Sequence, residues 1–287
     1  MQKRILILGA TSFVATGLYE YLVENGYQVD CFSRGQEAKE QNFIRGDVFQ
    51  ISTNRFLSST YDTVINYIVI KDGDINQNIE YIKSVISLCK SLNVKRLIHF
   101  SSIMVYDYQL EKANEKTAIE ELERTYKKGY GEIKIAVDQY LISVKNSLPF
   151  ETVIVRPGYV LADNRPCPFI KKVFSGISVI KGNKKSKQPI VRRDDIHVAL
   201  QRIIETENNH DVYHFFPNDG MTKYQYAKQS VGGLILTMPE LVFRKIPYFL
   251  SRFGIFPKSL YSRFEGMYIK TDFDSTETEN KIQIKFR

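Results

Sequence analysis

Ile5-Leu6-Ile7-Leu8-Gly9-Ala10-Thr11-Ser12-Phe13-Val14-Ala15 is the stretch on which the reading of this chain turns. Four consecutive apolar residues make a strand buried on both faces, and the run is too short for a core helix. Gly9 ends it. Val14, Leu18 and Leu22 then recur every fourth residue as one face of a helix, which Gly26 stops.

The same rhythm continues outward. Tyr27, Val29 and Cys31 alternate with Gln28 and Asp30 as a second strand, and a further strand lies near Val64-Ile65. A helix carrying Ile79, Ile82, Ile86, Cys89 and Leu92 precedes the strand Leu97 to Phe100. A second long helix carries Ile133, Val137, Tyr140, Leu141 and Val144, and leads to a strand from Thr152 to Val155. Alternation of short apolar strands with helical periods predicts an α/β protein of the Rossmann type, a doubly wound parallel sheet. Past Gly158 the pattern loosens. Asp194-Asp195 is expected to cap a helix through Ile203-Ile204, and Val212 to Phe216 reads as one more strand. From Met221 onward the expectation is several helices broken by Pro239, Pro247 and Pro257. The division expected is a core of residues 1–165, to which 190–217 return, and a small C-terminal substrate-binding lobe from 166–189 and 218–287.

The chain has 287 residues, 43% of them hydrophobic and 25% charged, which is ordinary for a globular protein. Its net charge of +8 suits nucleic acid, a membrane surface or a phosphate-bearing small molecule without choosing among them. No nucleic-acid-binding module accompanies the charge. Cys31, Cys89 and Cys167 are odd in number and widely spaced, so neither disulfides nor a zinc site is expected, and a reducing cytoplasm fits them. His99, His197, His210 and His214 share no metal-ligand spacing and read as structural. The apolar run at Ile5 is too short for a signal peptide, and no stretch is long enough to span a membrane.

Gly9 to Ala15 lies where backbone N–H groups and the positive end of a helix dipole can meet a phosphate. The plain alternative is an ordinary strand-to-helix turn. Ser33 and Arg34 stand at the end of the second strand. Folds that bind NAD put a carboxylate there for the ribose hydroxyls, whereas NADP requires its loss and a cation for the extra phosphate. Ser33-Arg34 therefore predicts NADP in preference to NAD.

Tyr130-Gly131-Glu132-Ile133-Lys134 sets a tyrosine and a lysine four apart, on one face of a helix. A phenol with a pKa near ~10 is a poor acid or base at neutral pH unless a nearby cation stabilises its phenolate. Lys134 can be that cation, and it can also hold a ribose hydroxyl. Ser101-Ser102 follows the strand ending at Phe100, at the sheet edge where ligands of open α/β folds sit. A hydroxyl there can hold a substrate oxygen while Tyr130 moves the proton. With 18 tyrosines in the chain the Tyr-Lys pair alone could be a plain exposed helix face.

Its company makes it specific. The loop at Gly9, Gly46-Asp47-Val48, Asn78, Ser101-Ser102 with Val105-Tyr106, Tyr130-Gly131 with Lys134, Arg156-Pro157-Gly158 and Arg193-Asp194-Asp195 succeed one another along most of the chain. In this the chain resembles the extended short-chain dehydrogenases/reductases, and among them the NAD-dependent epimerase/dehydratase family, which modifies nucleotide sugars. The family loop G-x-x-G-x-x-G is held here by Gly9, Ser12 and Ala15. Ala15 is a mild change, but Ser12 places a Cβ where backbone approaches the pyrophosphate. The resemblance implies that Ser102 orients the substrate oxygen, Tyr130 is the acid/base, and Lys134 tunes Tyr130 and holds the ribose. It implies cofactor contacts from Gly9, Thr11, Ser12, Phe13 and Val14, from Ser33 and Arg34, and from Asp47 and Val48, with Asp47 at the adenine amino group. Tyr67, Ile68 and Asn78, Lys134, and Pro157 with Gly158 near the nicotinamide complete that set. Arg192 and Arg193 are the expected contacts to a substrate phosphate.

Family dehydratases resemble one another in an Asp-Glu pair after the catalytic hydroxyl. Ile103-Met104 stands there instead, which disfavours dehydration and leaves an epimerase or a reductase, the Ser33-Arg34 pair leaning to the reductase. A catalytically silent dinucleotide sensor or scaffold is the rival that Ser12 motivates. Leu241-Val242-Phe243-Arg244-Lys245-Ile246 through Phe256 interleaves basic and aromatic residues as interfacial helices do, but substrate-lobe helices or a dimer contact explain it more simply than a membrane. Family members often dimerise through paired helices, which makes a homodimer through the Tyr130 helix an expectation by analogy.

Overall fold

The computed structural model describes residues 2–33, 42–47, 49–50, 60–125, 127–162, 167, 169–207, 212–255 and 267–287. Arg34, Val48, His210 and Pro257 lie outside the described residues. Along the chain, β1 (Arg4–Leu8), α1 (Leu18–Glu24), β2 (Gln28–Ser33), β3 (Phe43–Arg45), β4 (Thr63–Asn66), α2 (Ile75–Ser91), β5 (Arg96–Phe100), β6 (Lys112–Ala113), α3 (Tyr130–Val144) and β7 (Glu151–Pro157) come first. Then follow β8 (Tyr159–Leu161), β9 (Ile170–Phe174), β10 (Ile177–Ile180), β11 (Ile190–Arg192), α4 (Arg193–Glu205), β12 (Val212–Phe215), α5 (Lys223–Ser230), β13 (Leu234–Thr237), α6 (Ile246–Arg252), β14 (Asp272–Phe273) and α7 (Thr276–Ile282).

Seven strands form one sheet in the order β3-β2-β1-β4-β5-β7-β12, every neighbouring pair parallel. This is the doubly wound Rossmann-type sheet that the strand and helix periods predict. Side chains alternate across it. Ile5, Ile7, Val29 and Cys31 join Leu18 and Leu22 of α1 and Ile196 and Leu200 of α4 on one face. Leu6 and Leu8 join Ile82, Val85 and Cys89 of α2 and Ile133, Val137 and Leu141 of α3 on the other. Strand order reverses between β1 and β4, and the crevice at their carboxyl ends is where such sheets take ligands.

Four local expectations need correction. The first helix begins at Leu18, so Val14 precedes it. Gly17, with φ of +84°, adopts a left-handed conformation that a helix interior does not accommodate, and Gly9 to Gly17 is a run of turns. Asp194 and Asp195 lie in the first turn of α4, while Arg192 occupies the cap position without a side-chain capping bond. Pro247 sits inside the first turn of α6, where a missing N–H costs nothing, and therefore does not break it. Leu234–Thr237 is a strand, which joins β10 and β9 in a small separate sheet.

The last described segment returns to the main body. β14 pairs with β6, Thr278 Oγ1 accepts the His214 N–H at 2.8 Å, and Ile282 and Phe286 lie in the same core cluster as Phe215. Among the described residues no helix is long and apolar enough to cross a membrane.

Candidate active site

A cleft of about 750 Å³ opens at the carboxyl ends of β1, β4, β5 and β7. Gly9, Thr11, Ser12, Phe13 and Val14 line one side, with Ser33 at the end of β2. Tyr67, Ile68, Phe100, Ser102, Tyr130, Pro157 and Gly158 line the rest. Residues as far apart in sequence as Gly9 and Gly158 thus face one space because they sit where strands end, and Tyr130 joins them from the start of α3. Ser101, beside Ser102 in the sequence motif, lines it as well, and so do Val69, Lys71 and Val160, which no spacing in the sequence singled out.

The loop after β1 is shaped by Gly9. Its φ is +83°, and a Cβ there would come within 2.8 Å of Ile68 Cγ1. Ser12 donates its N–H to the Gly9 carbonyl at 2.9 Å and accepts from the N–H groups of Ala15 and Thr16. Its Oγ also accepts from Ala15 N–H at 3.3 Å, so the hydroxyl is engaged within the turn. Among the described residues the N–H groups of Ala10, Thr11 and Val14 have no acceptor. Donors left open beside a cleft are a place for an anion. Because α1 starts late, these loop amides, rather than a helix end, are what the cleft offers.

Tyr130 opens α3, and Lys134 follows one turn later. The tyrosine is 38% exposed, yet desolvation around its hydroxyl and then the Asp138 carboxylate push its pKa up to about 12. Lys134 is buried behind it, with Nζ 5.7 Å from the Tyr130 ring centroid and donating to the Phe100 carbonyl. Desolvation brings its pKa down to about 8, with Asp138 opposing and Lys71 adding to the fall. Ser102 caps a single 3₁₀ turn, Ile103–Val105, its Oγ accepting the Met104 N–H at 3.2 Å. Ser101 Oγ and Tyr67 Oη are buried without a partner among the described residues. Tyr67 stacks on Phe100 with ring centroids 4.0 Å apart. Two orphaned hydroxyls in the wall of a cleft are polar groups that a bound molecule can satisfy.

Behind the cleft lies a buried network whose members Tyr106, Arg156 and His214 are singled out in the sequence but whose connection through Asp138 is not. Arg156 on β7 donates from Nε to Asp138 Oδ2 at 3.0 Å and from Nη1 to the Tyr106 hydroxyl at 2.5 Å. His214 Nδ1 lies 2.8 Å from the Asp274 carbonyl, which can only accept, so Nε2 is the acceptor for the Tyr106 hydroxyl at 2.7 Å. Burial holds His214 down at about 3. Tyr130, Lys134 and Asp138 fall at i, i+4 and i+8, a spacing from which Asp138 could have been found.

Not every expected residue reaches the cleft. Asn78 is spent on the backbone, accepting from Ile70 N–H and donating to the carbonyls of Ile70 and Asp74. It shapes the loop that carries Lys71 instead of lining the cleft. Asp47 is exposed and accepts the Phe49 N–H at 3.0 Å, and it too is not among the lining residues. Arg192 and Arg193 line a separate cavity of about 430 Å³, together with Cys167, Gln188, Asp219, Tyr226 and Arg287. Arg193 lies close to the cleft without lining it, its guanidinium carbon 5.9 Å from the ring centroid of Phe13. Asp30 accepts from Arg4 and from the Tyr61 hydroxyl, a structural use.

Residues 5–210 match the model of the NAD dependent epimerase/dehydratase family. The chain belongs to this family. Solved structures show the epimerase fold over nearly its whole length. A UDP-glucose 4-epimerase from Thermotoga maritima, solved with UDP-glucose, superposes with a TM-score of 0.70 at 15% identity, covering 99% of this chain and 94% of the other. The human epimerase family protein SDR39U1, solved with NADPH, gives 0.67 at 16% identity over 99% and 94%. MoeE5, solved with UDP-glucose and NAD, gives 0.68 at 15% identity over 99% and 93%. No curated protein matches in sequence. At such identities the likeness establishes the epimerase/dehydratase fold.

Proposed function

We propose that this member of the epimerase/dehydratase family binds a nicotinamide dinucleotide in the cleft and transfers hydride at a hydroxyl-bearing or keto carbon. The observation that carries the reading is the convergence of Ser102 and Tyr130 on the same cleft as the open amides of the Gly9 loop, with Lys134 directly behind Tyr130. The dinucleotide supplies the hydride donor or acceptor. The amides of Thr11 and Val14 hold its pyrophosphate, and Tyr67 and Ser101 offer hydroxyls to the nicotinamide end. Ser102 orients the substrate oxygen. Tyr130, protonated at neutral pH with a pKa of about 12, passes its proton to that oxygen as the carbon is reduced. The Lys134 cation then stabilises the phenolate.

The cofactor proposed is NADP(H). Ser33, buried at the end of β2, puts no carboxylate where NAD would need one, and Arg34 follows it in sequence. The substrate proposed is a nucleotide sugar, its phosphates reaching the cavity of Arg192 and Arg193 next to the cleft. Solved family members hold such compounds, which supports the reading. Ile103 and Met104 after Ser102 offer no acid or base for dehydration, so single reduction or epimerisation remains, and the Ser33-Arg34 pair, suited to an exchangeable NADP(H), favours reduction.

Titration of the purified chain with NADPH and NADH, followed by nicotinamide fluorescence, tests this. Tighter NADPH binding that weakens in Arg34→Ala is expected. Binding of neither nucleotide overturns the proposal, and binding without turnover of any sugar nucleotide or ketone identifies a silent sensor.

A further inference from the structure

The helical segment after β13 turns its apolar side outward. Leu241–Lys245 is one π-helical turn that runs directly into α6, Ile246–Arg252. Leu241, Val242, Phe249, Phe253 and Ile255 are each more than half exposed, and Ile246 nearly so. Pro247 and Ser251 are the buried ones. A helix packed as part of an ordinary lobe shows the opposite arrangement, apolar in and polar out. Phe249 and Phe253 pack against one another with tilted rings, centroids 4.9 Å apart, at the exposed surface.

Charge says what fits this face. Lys245 and Arg252 are exposed among the apolar side chains. From Leu241 to Ile255 the sequence has three Lys or Arg residues, Arg244, Lys245 and Arg252, and no Asp or Glu. Glu240, just before the segment, is held by Arg244 at 2.6 Å, and of the carboxylates in the cavity beside Lys245, Glu120 and Glu121 are paired with Lys127 and Arg124. A second copy of the same face would set cations against cations. An anionic bilayer surface accepts aromatic and aliphatic side chains into its interface while its headgroups meet the cations.

We propose that the helical face of residues 241–255 seats this protein on anionic lipid, lying in the interface with Leu241, Ile246, Phe249 and Phe253 inserted and Lys245 and Arg252 at the headgroups. The proposal is independent of the chemistry assigned to the cleft. It stands beside the simpler sequence-based expectations for this stretch, substrate-lobe helices or a dimer contact, and the outward apolar side chains are what favour lipid over lobe packing.

Co-sedimentation of the full-length protein with vesicles tests it, using phosphatidylcholine alone and phosphatidylcholine with an equal part of phosphatidylglycerol. Sedimentation with the anionic vesicles only, weakening as salt rises, is expected. Phe249→Glu with Phe253→Glu should abolish it at unchanged thermal stability, since both side chains are exposed. Lys245→Gln with Arg252→Gln, which leaves the apolar side intact, should weaken it roughly fivefold or more per charge removed. No sedimentation with anionic vesicles, or equal sedimentation of wild type and the double-Glu variant, overturns the proposal. So does a light-scattering mass that falls from dimer to monomer in the double-Glu variant without lipid binding, which would make the face a contact between copies.

Discussion

Two residues of α3 set the pH behaviour expected of the cleft. Tyr130, raised to about 12, stays protonated throughout the neutral range and acts as an acid. Lys134, lowered to about 8, carries its charge below that value and loses it above. Reductive kcat should therefore be level near neutrality and fall as pH rises through about 8, which a pH profile at saturating NADPH and substrate would reveal. Tyr130→Phe keeps the ring and removes the proton, so kcat should drop by about 10²- to 10⁴-fold with little change in the NADPH Kd. A parallel loss of binding would mean the hydroxyl serves the cofactor. Gly158 makes a different kind of residue-scale case. A Cβ there would lie within contact distance of the Pro189 carbonyl oxygen and 2.7 Å from its carbon, in backbone that cannot step aside. Gly158→Ala should cost about 1 to 3 kcal/mol in urea unfolding, because the neighbour is main chain and not a flexible side-chain tip.

The elements divide into those whose sequence speaks and those whose neighbours speak for them. α2 and α3 were legible because Ile82, Val85, Cys89, Ile133, Val137 and Leu141 face one core and keep a helical period. α1 was legible only from Leu18, since nothing in the spacing of Val14 reveals that Gly17 takes a positive φ. β13 was missed because its alternation, exposed at Leu234 and Leu236, is set by pairing with β10 and not by burial in the main core. The site followed the same rule. Ser102, Tyr130 and Lys134 could be read from local spacing, whereas the contacts of Asn78, which shape a loop eight residues away, and the separation of Arg192 from the cleft arise only in the fold. Arg156 ties two elements together, β7 and α3, through Asp138, and both partners are buried. Arg156→Met removes the cation but leaves the carboxylate inside, and the expected loss is about 3 to 5 kcal/mol. Replacing both, Arg156→Met with Asp138→Leu, should recover much of it in the same denaturation assay. An additive loss in the double variant would sink the idea that the charge is what matters.

Over the whole molecule, acid is the expected weakness. His214 has a folded pKa of about 3 and His197 one of about 4, both held down chiefly by burial. The unfolded chain binds protons at these groups below pH ~6.5 while the folded chain does not, so stability is full above that value and falls below it. His214 alone should remove roughly 2 kcal/mol by pH 5. Urea midpoints measured from pH 7 to 5 would show the slope, and a flat profile would mean these histidines are already protonated in the fold. The slope should shrink in His214→Gln.

The return of residues 267–287 to the main body has a consequence for how the protein is made. β12 is one of the two edge strands of the seven-stranded sheet, and its His214 and Phe215 are covered by Thr278 and Phe286. A ribosome delivers about 5 to 20 residues per second, so after β7 emerges on the order of ten seconds pass before this cover exists. For the first part of that interval Val153, Ile154 and Val155 border an apolar edge without its parallel neighbour, and after β12 is made the edge still lacks its seal. The nascent chain is then exposed where the finished protein is most protected, and a chaperone that engages extended apolar segments would find its purchase there.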